Sequence, residues 1–181
     1  MIDAPYTTRP TLLSNRAPRG KLPWIEDNGH NVADSEAIVA HLRATRGDVL
    51  GEAALSRQAS ALAHLVRRTM EESFYFALVS ERWRDPTLKA AYSEALLSSI
   101  PKPARWAMAQ LVARMLLKQL WQQGYGRHDL DTVIRKGRDD IDAVAVMLGD
   151  APYVTGDTPH AVDATLFAFL TGRPPFEGAP H

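Results

Sequence analysis

The spacing of apolar residues changes once along this chain, and the change separates a short β-rich stretch from a long helical one. Residues 6–13 (Tyr-Thr-Thr-Arg-Pro-Thr-Leu-Leu) are rich in β-formers, but Pro10 argues against a fully paired central strand. Gly20-Lys21-Leu22-Pro23-Trp24-Ile25-Glu26-Asp27-Asn28-Gly29 then reads as an extended segment through a proline, a short strand and a tight turn. A second short strand follows, and Asn28-Gly29 suits the positive φ angles of a type I′ hairpin. From Asp34 the period becomes helical. Ala37, Ile38, His41 and Leu42 share one face of a helix over about Asp34 to Thr45, stopped by Gly47.

After a linker around Gly47-Asp48 and Gly51-Glu52, strand signals are few. Leu62, Leu65, Val66, Thr69, Ser73, Phe76 and Ala77 form a stripe on a helix reaching about Trp83, broken by Asp85-Pro86. A shorter helix covers about 87–98. Pro101 and Pro103 open another, carrying Trp106, Ala109, Ala113, Leu116 and Leu120 inward and stopping at Gly124. Two more run over about 129–148, with Ile134, Ile141, Val144 and Leu148 inward, and about 160–170. Short loops between long helices predict an antiparallel bundle, with Trp83, Trp106, Phe76, Leu116 and Val144 substantially buried. The fold class is α+β, mainly α.

Composition narrows the chemistry. The 181 residues include 45% hydrophobic residues, enough for a core, and carry a formal net charge of zero. That balance points to neither a nucleic-acid nor an acidic-membrane partner. No apolar run approaches the roughly 20 residues of a membrane helix, and the first residues do not read as a signal peptide. The default location is therefore the cytoplasm. With no cysteine there is no disulfide, thiolate metal site or cysteine nucleophile. The six histidines lack metal-ligand spacing, and no Ser/His/Asp set follows from spacing, so no metal and no catalytic residue is assigned.

One arrangement does suggest binding. A Pro-led hairpin feeding a helix that starts on Asp34-Ser35 can hold an extended peptide and a carboxylate side by side. Two readings stay open at each position: Pro23 is a ligand-holding or an ordinary edge-strand proline, and Asp34-Ser35 are a ligand site, a helix cap, or both. Arg67, Arg68, Glu71, Glu72 and Tyr75 lie along the first long helix. They form a solvated face with i,i+4 pairs Arg68–Glu72 or Arg67–Glu71, or, as the family resemblance below implies, line a substrate cleft. Gly124-Tyr125-Gly126-Arg127-His128 lacks the spacing of a phosphate loop and reads as a helix stop, with His128 or Asp129 starting the next helix.

The hairpin, Ala33-Asp34-Ser35, Glu71-Glu72 with Tyr75, and Arg82-Trp83 together resemble glutathione transferases, in the branch of failed axon connections and metaxin proteins. Gly124-Tyr125-Gly126-Arg127-His128, Leu148-Gly149-Asp150-Ala151-Pro152-Tyr153 and Asp163-Ala164 extend the resemblance over about residues 18–170. It implies an incomplete thioredoxin-like domain over residues 1–47, an all-α transferase C-terminal-like bundle over 53–171, and an irregular tail over 172–181. It implies a cis Leu22-Pro23 peptide, with Leu22, Pro23, Asp34 and Ser35 binding glutathione and Arg68, Glu71 and Tyr75 facing a small electrophile. Asp163 closes a capping box in the family's core, but the Ser or Thr three residues earlier is His160 here, so the box is half kept.

The chain departs from the family pattern at both ends. Met1–Tyr6 match the turn after the family's first helix, so the opening strand and helix with the catalytic Ser, Tyr or Cys are expected to be missing. Residues 6–13 are then expected to be poorly paired. The expected function is a glutathione transferase-like protein that binds or conjugates glutathione with reduced catalytic power, with a homodimer among its implied assemblies. The alternatives are a non-catalytic, metaxin-like assembly module and a poorly folding gene fragment.

Overall fold

A computed structural model describes residues 5–9, 17–20, 22–48, 50–98 and 100–171. Of the stretch expected to pair poorly, residues 6–9 lie in no strand and Tyr6 is 83% exposed, while 10–13 fall outside the described residues. The expected tail over 172–181 also falls outside them.

The hairpin forms where the Asn-Gly pair places it. Strand β1 (Trp24–Asp27) runs antiparallel to β2 (His30–Ala33), with Trp24 opposite Ala33 and Asp27 opposite His30. Asn28 and Gly29 both take positive φ, 50° and 79°, as a type I′ turn requires. The Leu22–Pro23 peptide is cis, as expected. Helix α1 (Ser35–Arg46) lies against the hairpin and is fastened to it near its C-terminal end. There His41 Nε2 bonds Asp27 Oδ2 at 2.8 Å, and Arg46 reaches Asp27 Oδ1 at 3.5 Å. The His41 hydrogen bond holds the Asp27 carboxyl below its ordinary value.

The second half is mainly helical, with one isolated β-bridge between Tyr153 and Gly156. Its spine is one continuous helix made of α2 (Arg57–Arg68), a wider π turn at Thr69–Phe74, and α3 (Tyr75–Arg84). Ser56 caps its start by accepting from Ala59 N at 3.1 Å. Asp85 ends it and caps α4 (Pro86–Leu96), with Pro86 in the first turn, where its missing N–H costs nothing. Helix α5 (Lys102–Gln123) stops at Gly124, φ 115°. Asp129, not His128, caps α6 (Leu130–Leu148), and α7 (Ala161–Thr171) closes the described chain.

Two clusters form the core. Ala63, Val66 and Met70 of the spine meet Val144 of α6, Val154 and Val162 of α7. Further along, Val79 and Trp83 meet Ala113 and Leu120 of α5, with Phe76 and Leu116 packed at the margin. Helices α3 and α6 approach closely at Gly137, where a Cβ would lie 2.8 Å from Ala77 Cβ. Trp83 and Val144 are buried as expected, and Phe76 and Leu116 are half-buried.

Two expected core residues are not buried. Trp106 is 70% exposed although it shares a face with Ala113 and Leu120 at seven-residue steps. The spine facing that stripe stops at Arg84, so Trp106 lies beyond the packed zone. Leu65 is 62% exposed at the edge of the α2 stripe, where Val66 takes the central position instead.

Candidate functional site

The site begins where the extended segment passes the start of α1. Asp34 N donates to Pro23 O at 3.4 Å, which sets Leu22-Pro23 beside Asp34-Ser35. Leu22, Pro23, Asp34 and Ser35 are all exposed there. Asp34 holds φ 87°, ψ 130°, a conformation that hard-sphere sterics disfavour for any residue with a Cβ. Such strain costs about 1–3 kcal/mol and concentrates at ligand sites.

The strained backbone brings Asp34 Oδ1 onto the helix N-terminus, where it accepts from Glu36 N at 3.0 Å and Ala37 N at 3.3 Å. Asp34 is therefore a helix cap, and two of the orphan donors of α1 are satisfied. The Ser35 N–H and hydroxyl have no partner among the described residues. They form a donor pair at the positive end of the helix dipole, suited to a carboxylate.

The spine forms the opposite wall. Arg67 Nη1 donates to Glu36 Oε1 at 3.4 Å, tying α2 to the first turn of α1. Arg67 thus does not form the i,i+4 pair with Glu71 that spacing allowed. Arg68 does form its pair, to Glu72 at 2.9 Å, and both side chains are exposed. Such a pair contributes only a few tenths of a kcal/mol. Glu71 is half-buried on the π turn. Burial pushes its carboxyl up, the nearby Glu36 and Asp34 charges add to this, and Arg67 and Arg68 oppose it. Tyr75 follows at the start of α3, 39% exposed, its ring edge-on to Phe76 at 5.2 Å.

The structure thus brings Asp34, Ser35 and Glu71 into one electrostatic neighbourhood, and leaves Arg68 engaged on the outer surface. Arg67, already placed on that helix face, and Glu36, which sequence reasoning did not place there, join the neighbourhood. Their partnership spans 31 positions, and no local pattern announces it.

Asp163 has no part in this site. Its Oδ2 accepts from His160 N and its Oδ1 from Val154 N, each at 2.8 Å. The half-kept capping box is visible in the other direction too, since the His160 ring bonds Thr155 Oγ1 at 2.7 Å rather than the helix. Among the described residues no group of three or more His, Asp or Glu could hold a metal ion, and no helix is long and apolar enough to cross a membrane.

The two-stranded hairpin with α1 against it, followed by the helical bundle, fits a thioredoxin-like fragment joined to a helical bundle. Family models agree: residues 1–88 match the glutathione S-transferase N-terminal domain and residues 137–173 the glutathione S-transferase C-terminal domain. The chain belongs to the glutathione S-transferase family. It is 33% identical over 174 residues to the isoprene-epoxide–glutathione S-transferase of Rhodococcus sp. (strain AD45), covering 93% of this chain and 72% of that protein. It is 24% identical over 172 residues to Failed axon connections of Drosophila melanogaster, covering 86% of this chain and 39% of that protein. No solved structure matches it.

Proposed function

We propose that this protein binds glutathione at Leu22, Pro23, Asp34 and Ser35, within a thioredoxin-like part over residues 1–47, and presents its sulfur to a small electrophile beside the helical part over 53–171. The observation that carries the reading is Asp34. It accepts backbone strain at φ 87° and uses its carboxylate on Glu36 and Ala37, which leaves the Ser35 donors without a partner among the described residues. The γ-glutamyl carboxylate takes the Ser35 N–H and hydroxyl. The ammonium beside it lies in the negative field of Asp34, Glu36 and Glu71, and the peptide continues along the backbone of Leu22. Arg68, Glu71 and Tyr75 border the electrophile.

The chemistry is attack of the glutathione thiolate on an electrophilic carbon. With an epoxide, a sulfur–carbon bond forms, the ring carbon–oxygen bond breaks, and the alkoxide takes a proton from solvent as the thiol has released one. An epoxide is the first electrophile to test, because the Rhodococcus relative is an isoprene-epoxide transferase by name. The reading assigns no residue to lowering the thiol pKa, so slow turnover is expected.

Calorimetric titration with glutathione tests the reading. Ser35→Ala should weaken binding about tenfold or more, the loss of about 1.5 kcal/mol at the lower end for one hydrogen bond to a charged group. Absence of binding at millimolar glutathione, or equal binding by Ser35→Ala, would overturn it. Rapid turnover abolished by one substitution outside these residues would show that the catalytic group lies elsewhere.

A further inference from the structure

Helix α5 has an apolar inner side and a mixed, exposed outer side. Ala109, Ala113 and Leu120 are buried against the spine. On the outer side Trp106, Met108, Leu111, Met115, Leu117 and Trp121 are all exposed, Trp106 by 70% and Trp121 by 59%. At about 100° and 1.5 Å per residue they spread over about 200° of the helix circumference and about 22 Å of its length, with a tryptophan at each end. Arg114 and Lys118 fall inside that arc, with Leu117 and Trp121 to one side and Leu111 and Met115 to the other. Both cations are exposed, and neither has an ion-pair partner among the described residues.

We propose that the outer side of α5 is a docking surface for an anionic lipid bilayer, with the helix lying flat at headgroup level. Charge is the first reason. The zero net charge of the whole chain averages over a helix whose basic residues are Lys102, Arg105, Arg114 and Lys118 and which has no acidic residue. Glu94 holds Arg105. Arg127, just beyond the helix, lies 5.9 Å over the Trp121 ring and adds a cation at that end.

The placement of the cations is the second reason. A dry protein interface over this arc would bury Arg114 and Lys118 in its middle, and that desolvation is costly without acidic partners. A second α5 would bring only more cations. The headgroup layer offers phosphates to both, while their stems and the flanking apolar side chains reach the acyl boundary. Tryptophan rings favour the same level. Breadth is the third reason, since a single partner helix covers a narrow seam, whereas a flat surface meets the whole outer side. Among the described residues no helix is long and apolar enough to cross a membrane, so the contact is peripheral. The proposal is independent of the glutathione reading.

Flotation of the full chain with phosphatidylserine–phosphatidylcholine vesicles, against phosphatidylcholine alone, tests it. Wild type should float with the anionic vesicles and not with the neutral ones, and binding should weaken as salt rises. Arg114→Gln/Lys118→Gln should weaken binding about fivefold for each cation, about 25-fold together. Arg57→Gln/Arg138→Gln makes the same charge change at exposed residues of α2 and α6 and should bind like wild type. Leu111→Gln/Met115→Gln, with an unchanged circular dichroism spectrum, should weaken binding about tenfold or more. Lipids brominated on their chains should quench wild-type emission, and Trp106→Phe/Trp121→Phe should lose that quenching. No binding at millimolar anionic lipid overturns the proposal. So does equal binding to neutral vesicles, or an equal loss in the Arg57/Arg138 variant. Capture of an acidic amphipathic peptide, or a dimer that Leu111→Gln/Met115→Gln dissociates, in a chain that ignores vesicles assigns the face to that occupant and equally overturns it.

Discussion

Replacing Asp163 by alanine should destabilise the helical part severely, because one carboxylate holds two buried segments together. Its oxygens accept from the backbone of Val154 and His160, each at 2.8 Å. Both residues are buried, at 6% and 8% exposure, so water cannot readily replace the lost acceptor. A hydrogen bond to a charged group contributes about 1.5–3 kcal/mol, and an orphaned buried N–H costs about 1–3 kcal/mol. Allowing for relaxation and the partial exposure of Asp163 itself, the two bonds together amount to about 3 kcal/mol. With a urea slope of about 2 kcal/mol/M, the unfolding midpoint should fall by about 1.5 M. Asp163→Asn keeps one acceptor oxygen and should lose about half as much. Urea titration followed by far-ultraviolet circular dichroism measures both. A midpoint shift under about 0.3 M for the alanine variant would refute the reasoning. So would an asparagine variant as unstable as the alanine one.

Two further outcomes follow from the packing of α6. Gly137→Ala would place a Cβ 2.8 Å from Ala77 Cβ, so it should cost about 1–3 kcal/mol by overpacking. Ala77→Gly in the same chain should recover part of that loss in the same urea assay, a coupling that two independent sites would not show. Burial raises the Asp140 carboxyl above its ordinary value of 3.8, against a smaller opposing effect of the Ser73 hydroxyl. Its Oδ2 is buried and has no hydrogen-bond partner among the described residues. The folded state then holds the Asp140 proton more tightly than the unfolded state. This contribution is intact below 3.8 and declines as pH rises through the folded value. Asp140→Asn should accordingly gain stability relative to wild type between pH 4 and pH 7. A gap that stays constant or narrows would contradict this.

Much of the fold was legible from residues within four or five positions of one another. The Asn28-Gly29 turn, the Gly47 and Gly124 stops and the Asp85-Pro86 break all fall where local chemistry puts them. Caps and turns are local because the donors they satisfy belong to the next turn of backbone. The Asp34 cap at the start of α1 was legible for the same reason. The strain at Asp34 was not, since it depends on the bond from its N–H back to Pro23 across the hairpin.

What local pattern could not supply was the choice of neighbour. On α5 the periodicity identifies apolar stripes without saying which is covered or how far the cover extends. The end of the spine at Arg84 leaves Trp106 exposed, while Ala113 and Leu120 on the same stripe are buried. Spacing equally allowed Arg67 to pair with Glu71, yet it reaches Glu36 on another helix and leaves Glu71 half-buried among carboxylates. Long side chains and helix faces find partners tens of residues away, and the energies separating those partners are small beside the packing that brings the helices together. Helix ends and turns follow from the chain's own neighbours, whereas buried faces and the charges around Glu71 follow only from the assembled helices.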